Sequence, residues 1–183
     1  MPGPPPQLER GYRLVTIEDP GGEEAHAFTA AAAKVLRVAA RTHASALLVA
    51  GSVAEDGAPT VAANLAVEAA RLGRRVVLVD LDAERPTMRR RFALGRHAGR
   101  SEVVSGEHDL DSAPDHVHTG HGVLEVLTAG SSPRPIDGRR FARVLPSLRA
   151  RAHLALLLSP PLLEEKRARE LARQCDGIVL ASV

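Results

Sequence analysis

Short apolar runs alternate with segments of helical character along this chain, and no other feature constrains its fold so strongly. The run ALLVAG (46–51) precedes a helical segment from Pro59 to about Leu72, and the run RRVVLVDLD (74–82) follows it. A strand that is apolar along its whole length is buried on both faces, as in a parallel sheet. The alternation therefore predicts an α/β fold with a mostly parallel sheet and helices on both faces.

The same pattern continues to the end of the chain. We predict three further strands and three further long helices, with short helices near 84–94 and 101–107, a short extended segment at 13–17, and a polar, histidine-rich stretch at 95–122 that contains no strand. The strands are expected at 122–130, 153–161 and 176–183, and the helices at 22–41, 137–152 and 162–174. Residues 1–12 are predicted to be a disordered, proline-rich lead-in, and 13–183 a single domain.

The composition of the chain excludes several classes of function. Only 2% of the residues are aromatic and the net charge is +2, with acidic and basic residues interspersed, so neither a base-stacking platform nor a nucleic-acid partner is expected. No apolar run approaches the roughly 20 residues that cross a bilayer, and no signal peptide is visible. We therefore expect a cytoplasmic protein that reaches the inner face of the membrane only through a partner.

The segment SVAEDGAPT (52–60) lies where a phosphate-binding loop would lie, between the first long strand and its helix. Such a loop needs glycines whose backbone N–H groups can close on phosphate, a lysine for the β and γ phosphates, and a hydroxyl for Mg²⁺. Gly57 and Thr60 suit this role. The lysine is missing.

Several segments together resemble one family. SVAEDGAPTVAANLA, RRVVLVDLDAERP, VLEVLTAGSSPRP and HLALLLSPPLLEEKRA are similar to segments of the bacterial tyrosine kinases of capsule and exopolysaccharide systems, a branch of the MinD/ParA-like P-loop ATPases. The resemblance covers nearly the whole chain from residue 13. It implies a P-loop NTPase fold, and in the family it implies ATP, magnesium and a membrane polysaccharide co-polymerase of the Wzz type as a partner.

The chain departs from the family where catalysis would occur. Ala58 stands at the cradle lysine, Pro59 at the metal-binding serine, Glu55 at a glycine, and Leu158 at the second metal-associated aspartate. Pro59 also removes a backbone donor, and Glu55 adds a negative charge. The resemblance thus implies a degenerate Walker A loop.

Two acidic residues of the family pattern remain, Asp80 and Asp82. In the family the aspartate at the position of Asp80 lies near Mg²⁺ and helps to activate the attacking hydroxyl. With the other groups replaced, we expect the whole site to be vestigial, with no catalytic residue, no metal and no cofactor. The vestigial residues are Glu55, Gly57, Ala58, Pro59, Thr60, Asp80, Asp82 and Leu158.

Three functions stay open. The first is a non-catalytic, pseudokinase-like module that binds a membrane co-polymerase or a true tyrosine kinase of the same system. The second is a residual ATPase or tyrosine kinase that uses Asp80, Asp82, ATP and magnesium, with an arginine from a neighbour replacing the lysine. The third, a MinD/ParA-like positioning factor, is disfavoured because the chain shows no terminal amphipathic basic helix.

Two further groups of residues are candidate sites. His116, His118 and His121 are spaced so that they could bind Zn²⁺ or Ni²⁺, although a polar surface loop is the plainer interpretation. In the family, a Glu-x-x-Arg-x-x-Arg pattern on the leading helix assembles a ring, and the matching positions here are His26, Thr29 and Ala32. Ring formation by that route is not expected, and oligomerisation by another route stays open.

Overall fold

The computed structural model describes residues 14–182, so the predicted proline-rich lead-in at 1–12 lies outside the described residues. That 13–183 form a single domain stays a prediction. The strands are β1 Ala46–Gly51, β2 Arg75–Asp80, β3 Asp115–His118, β4 Val123–Leu127, β5 Leu154–Leu158 and β6 Gly177–Ala181. The helices are α1 Val15–Glu18, α2 Glu23–Thr42, α3 Ala58–Arg71, α4 Met88–Arg91, α5 Arg100–Ser105, α6 Gly138–Arg151 and α7 Lys166–Ala172.

The six strands form one sheet in the order β3-β4-β2-β5-β1-β6. All neighbouring pairs are parallel except β3 with β4, which is antiparallel. The sequence interpretation of 95–122 as free of strands is therefore wrong at β3. This strand has only four residues, lies at the edge of the sheet and alternates between half-buried and exposed positions, so it carries no apolar run.

Helices cover both faces of the sheet, which confirms the predicted fold class. Side chains alternate along each strand: in β1, Leu47 and Val49 face the core on the side of α3, and Leu48 and Ala50 face the core on the side of α6. Alanines dominate the buried face of α3 and let it approach the sheet closely; they are Ala62, Ala63, Ala66, Ala69 and Ala70.

A buried amide determines how the chain enters the fold. The Asn64 side-chain oxygen accepts hydrogen bonds from the Thr16 backbone N–H (3.1 Å) and the Thr16 hydroxyl (2.8 Å). The Asn64 amide group donates in turn to the Thr60 carbonyl at 2.9 Å. Residues 15–18 consequently form the helical turn α1 against α3, and the prediction of an extended segment over 13–17 is wrong for its described part.

The other predicted long elements are confirmed, with boundaries shifted by a few residues. Among residues 14–182, no helix combines the length and the apolar character needed to cross a membrane.

The entry turn gives the first testable prediction. Replacing Asn64 by Ala leaves the buried N–H and hydroxyl of Thr16 without a partner, so we expect the free energy of unfolding to fall by about 1–3 kcal/mol in chemical denaturation. In the Thr16→Val background, Asn64→Ala should reduce the free energy of unfolding by less, because the Thr16 hydroxyl is already absent. Equal costs in the two backgrounds would contradict the assigned hydroxyl bond.

Candidate functional site

The carboxyl ends of β1, β5 and β2 meet at one edge of the sheet, because the three strands are adjacent and parallel. Leu158 lies between Val49 of β1 and Asp80 of β2 in register. This brings the loop 52–57 and the two acids of the second strand to one place, as the sequence predicts. A small pocket of about 140 Å³ lies between them; its lining includes Ala54, Ala58, Pro59, Asp82, Arg85, Thr87 and Leu158.

The loop after β1 is held by hydrogen bonds to the carboxylate of one of its own residues. One oxygen of Asp56 accepts hydrogen bonds from the backbone N–H groups of Ser52 (2.7 Å) and Val53 (3.0 Å). Gly57, with φ of 74°, then turns the chain into α3 in a conformation that favours glycine. The side chain of Asp56 therefore occupies the backbone donors that an external anion would use.

A second carboxylate closes the loop from the other side. Glu164, in the segment after β5, accepts a hydrogen bond from the Ala54 N–H at 3.0 Å. Its other oxygen accepts from the Arg85 guanidinium at 3.0 Å. The hydrogen bond from Ala54, which has the larger effect, and that from Arg85 lower the pKa of Glu164 below its ordinary value. Three consecutive N–H groups, at 52–54, are thus bound to carboxylates of this chain.

The positions that differ from the family have distinct surroundings. Ala58 is buried at the first turn of α3, and Leu158 is buried in the sheet. Glu55 is exposed, and its carboxylate has no hydrogen-bond or ion-pair partner among the described residues. The acid that reaches the loop is its neighbour Asp56, which the sequence interpretation did not single out. The Thr60 N–H donates to the Gly57 carbonyl at 2.9 Å, and the Thr60 carbonyl accepts from the Asn64 amide group.

Asp80 is fully buried at the end of β2. One of its carboxylate oxygens accepts hydrogen bonds from the backbone N–H groups of Thr87 (2.9 Å) and Met88 (3.0 Å), at the start of α4. The other accepts from the Asp82 N–H at 3.2 Å. Burial raises the pKa of Asp80 to about 6, although the bonds from Met88 and Thr87 act to lower it.

Asp82 organises the turn that follows β2. One of its oxygens accepts hydrogen bonds from the backbone N–H groups of Glu84 (3.0 Å) and Arg85 (2.9 Å). The other lies 3.8 Å from the Arg85 guanidinium. Both acids of the family pattern therefore have local backbone donors as partners. That the site as a whole is vestigial stays a prediction.

A buried arginine beneath the two acids was not anticipated. Arg100, only 2% exposed, donates from Nε to the Asp80 carbonyl (3.0 Å) and from Nη1 to the Arg134 carbonyl (2.7 Å). Burial lowers the pKa of Arg100, and the neighbouring charge of Asp80 opposes that effect. The positive charge of Arg100 therefore lies near the carboxylates of Asp80 and Asp82. No local sequence signal distinguishes this arginine from exposed ones.

The structure does not gather the candidate histidines into a metal site. His116 and His118 lie on β3, where His116 approaches Glu125 at 3.9 Å, and His121 lies in the following turn. Within residues 14–182, no three histidine, cysteine or acidic side chains converge as a metal cluster would require.

The three positions on the leading helix have separate surroundings. The Thr29 hydroxyl donates to the buried carboxylate of Glu68 at 2.7 Å. Ala32 is buried, and only His26 is exposed. Two of the three positions on α2 therefore face the protein interior.

The closed loop can be tested by amide hydrogen exchange. Asp56→Ala removes the acceptor of two backbone bonds, so the Ser52 and Val53 amides should exchange at least about tenfold faster. The adjacent Glu55→Ala change removes an exposed carboxylate and serves as the matched control, which should leave both rates unchanged. Acceleration by Glu55→Ala equal to that by Asp56→Ala would show that the wrong acid has been identified.

The raised pKa of Asp80 predicts a pH dependence of stability. The folded protein holds the Asp80 proton more tightly than the unfolded chain does, so this contribution to stability is complete below pH 4 and is lost as the pH rises towards 6. The Asp80→Asn variant cannot titrate at this position. Relative to it, the free energy of unfolding of the unmodified chain should fall by on the order of 1–3 kcal/mol between pH 4 and 7.5. Urea denaturation of both chains measures the difference, and a constant difference would contradict the assignment.

Known proteins resemble this chain in sequence. Tyrosine-protein kinase YwqD of Bacillus subtilis is 30% identical over 129 residues, which are 68% of this chain and 54% of that kinase. Tyrosine-protein kinase etk of Escherichia coli is 23% identical over 173 residues, which are 92% of this chain and 24% of that protein. The chain therefore spans about half of the first of these relatives and about a quarter of the second. No protein-family model matches it.

Solved structures establish the fold. The chimerical protein CapA2B2 superposes with a TM-score of 0.80 at 22% identity, over 94% of this chain and 77% of that one. The septum site-determining protein MinD of Pyrococcus horikoshii, solved with Mg-ADP, gives a TM-score of 0.62 at 21% identity, over 75% of this chain and 57% of that one. The chain is thus a divergent homologue of the bacterial tyrosine-protein kinases, built on the fold of the MinD-like P-loop ATPases.

Proposed function

We propose that this chain is a non-catalytic, pseudokinase-like cytoplasmic module of a capsule or exopolysaccharide synthesis and export system. It acts by binding a membrane polysaccharide co-polymerase or a partner tyrosine kinase. The observation that carries the proposal is in the loop 52–57, where the N–H groups of residues 52–54 are bound to the carboxylates of Asp56 and Glu164.

Electrostatics supports the absence of nucleotide binding. Phosphate would have to displace Asp56 and Glu164 from the loop, and both carboxylates would then stand beside an anion of the same sign. Ala58 supplies no counter-charge, and Leu158, buried in the sheet, supplies no metal ligand. On this proposal the residues present do not fit ATP and magnesium.

The scaffold supports a role in binding. Both faces of the sheet are packed, and the carboxyl edge is held by hydrogen bonds within the chain. The scaffold is packed on both faces, while the loop donors at 52–54 are bound within the chain. This combination suits a protein that presents a surface to a partner. The curated relatives are longer chains, so the association with a co-polymerase is proposed from the family resemblance.

Calorimetry tests the catalytic half of this proposal. Titration of Mg-ATP into the unmodified chain should give no saturable heat at micromolar to millimolar concentrations. In the triple variant Asp56→Gly, Glu164→Ala, Ala58→Lys, the N–H donors at 52–54 are released and a cation is added, so measurable binding is expected. Micromolar affinity in the unmodified chain would overturn the proposal.

The partner half needs its own measurement. The tagged full chain should co-purify from detergent-solubilised membranes with the co-polymerase or tyrosine kinase of its own cell, and a purified pair should bind with the same affinity with or without ATP. Failure of both candidate partners to bind would remove the interaction role even if the chain binds no nucleotide.

A second candidate function is a residual ATPase or protein-tyrosine kinase. The observation that favours it is Arg85, which lines the small pocket beside Asp82 and Ala58 and could supply the charge that the missing lysine would provide. Turnover of radiolabelled ATP by the unmodified chain, lost in a folded Asp82→Asn variant, would support this function. Equal background turnover in both chains would end it.

A further inference from the structure

A larger pocket lies beside the loop site, on the other side of Thr87. It has a volume of about 440 Å³, within the range of small-molecule sites. Its walls come from the turn after β2, from α4 and from the segment after β4. We call it the arginine pocket; its arginines are Arg85, Arg89, Arg90 and Arg96, and the other lining residues include Glu84, Pro86, Thr87, Ala129, Gly130, Ser131 and Pro133.

The arginine pocket carries positive charge that the chain does not neutralise. Arg89 and Arg96 form no ion pair with any residue in the described range 14–182. Arg85 is already paired with Glu164. The one acidic residue of the lining, Glu84, lies 3.1 Å from Arg167, which is not part of the lining. Two arginines of the lining, Arg89 and Arg96, therefore have no acidic partner among the described residues.

The floor of the arginine pocket is held in place from beneath. Glu102 accepts hydrogen bonds from the Gly99 N–H (2.9 Å), the Ser131 N–H (3.1 Å) and the Ser131 hydroxyl (2.7 Å). Burial acts to raise the pKa of Glu102, but the bonds from Ser131 and Gly99 outweigh it and lower the pKa to about 2. A side chain at Gly130, where φ is 104°, would collide with this carboxylate. The segment 130–131 is thus a fixed surface opposite the arginines.

The lining also offers apolar and hydroxyl groups. Pro86, Pro133 and Ala129 provide an apolar wall, and the hydroxyl oxygen of Thr87 is buried without a hydrogen-bond partner among the described residues. Guanidinium groups bind phosphate through paired N–H donors, and a phosphate dianion matches two unpaired arginines better than a single carboxylate does. The volume exceeds what a bare phosphate needs, which leaves room for an organic group.

From these observations we propose that the arginine pocket is a binding site for a phosphomonoester, either a free small molecule or a phosphorylated side chain. The site does not use the loop 52–57 or its carboxylates. It therefore goes beyond the proposed function, and it stands whether or not the chain binds ATP.

NMR titration of the unmodified chain locates the site without any substitution. Inorganic phosphate, O-phosphoserine and O-phosphotyrosine should shift the backbone amides of Thr87, Gly130 and Ser131 in a saturable way, and unphosphorylated serine and tyrosine should not. Stronger binding of a phospho-amino acid than of inorganic phosphate would identify a phosphorylated side chain as the source. Equal or weaker binding would identify a small phosphate. Shifts confined to 52–60, or no saturation, would overturn the proposal.

A matched pair of double variants tests the arginines. Arg89→Gln with Arg96→Gln removes the two unpaired guanidinium groups, and the phosphate dissociation constant should rise at least about tenfold. Arg37→Gln with Arg143→Gln changes the net charge equally at exposed positions of α2 and α6, and the constant should stay within about twofold. An equal loss in the two pairs would show general charge attraction and no specific pocket.

Discussion

The site depends on three adjacent parallel strands that are buried on both faces and end together. Because β1, β5 and β2 run side by side in the same direction, everything that follows them is gathered at one edge. Backbone N–H groups at such an edge have no neighbouring strand to pair with and need other acceptors. Here the chain supplies these acceptors itself, from Asp56, Glu164, Asp80 and Asp82.

These carboxylates link the segments at this edge to one another by hydrogen bonds. Asp80 holds the start of α4, and Asp82 holds the turn before it. Arg85 joins that turn to Glu164, which in turn holds the loop after β1. A ligand entering this edge would have to replace several internal bonds at once. The arginine pocket next to it differs in charge, because Arg89 and Arg96 have no acidic partner among the described residues.

Family resemblance and local geometry contribute different parts of this picture. The resemblance implies that groups used in phosphoryl transfer are replaced at Ala58, Pro59 and Leu158. The geometry adds that the N–H groups at 52–54 have acceptors within the chain: Asp56, one residue after the Glu55 that the family resemblance singled out, and Glu164. Loss of a lysine alone leaves open whether the loop can still receive an anion. The bonds to Asp56 and Glu164 bear directly on that question.

The sequence by itself determined the fold class and most long elements, because short apolar runs such as 46–51 and 74–82, alternating with helical segments, are typical of central parallel strands. It also determined which side chains lie after those strands. Only the tertiary structure decided that β3 forms at the edge and that α1 folds back on Asn64, since each depends on partners distant in the chain. The same holds for Glu164, which lies 110 residues from the loop it closes. Periodicity reports which faces of an element are buried, and it carries no information about which distant acceptor meets which donor.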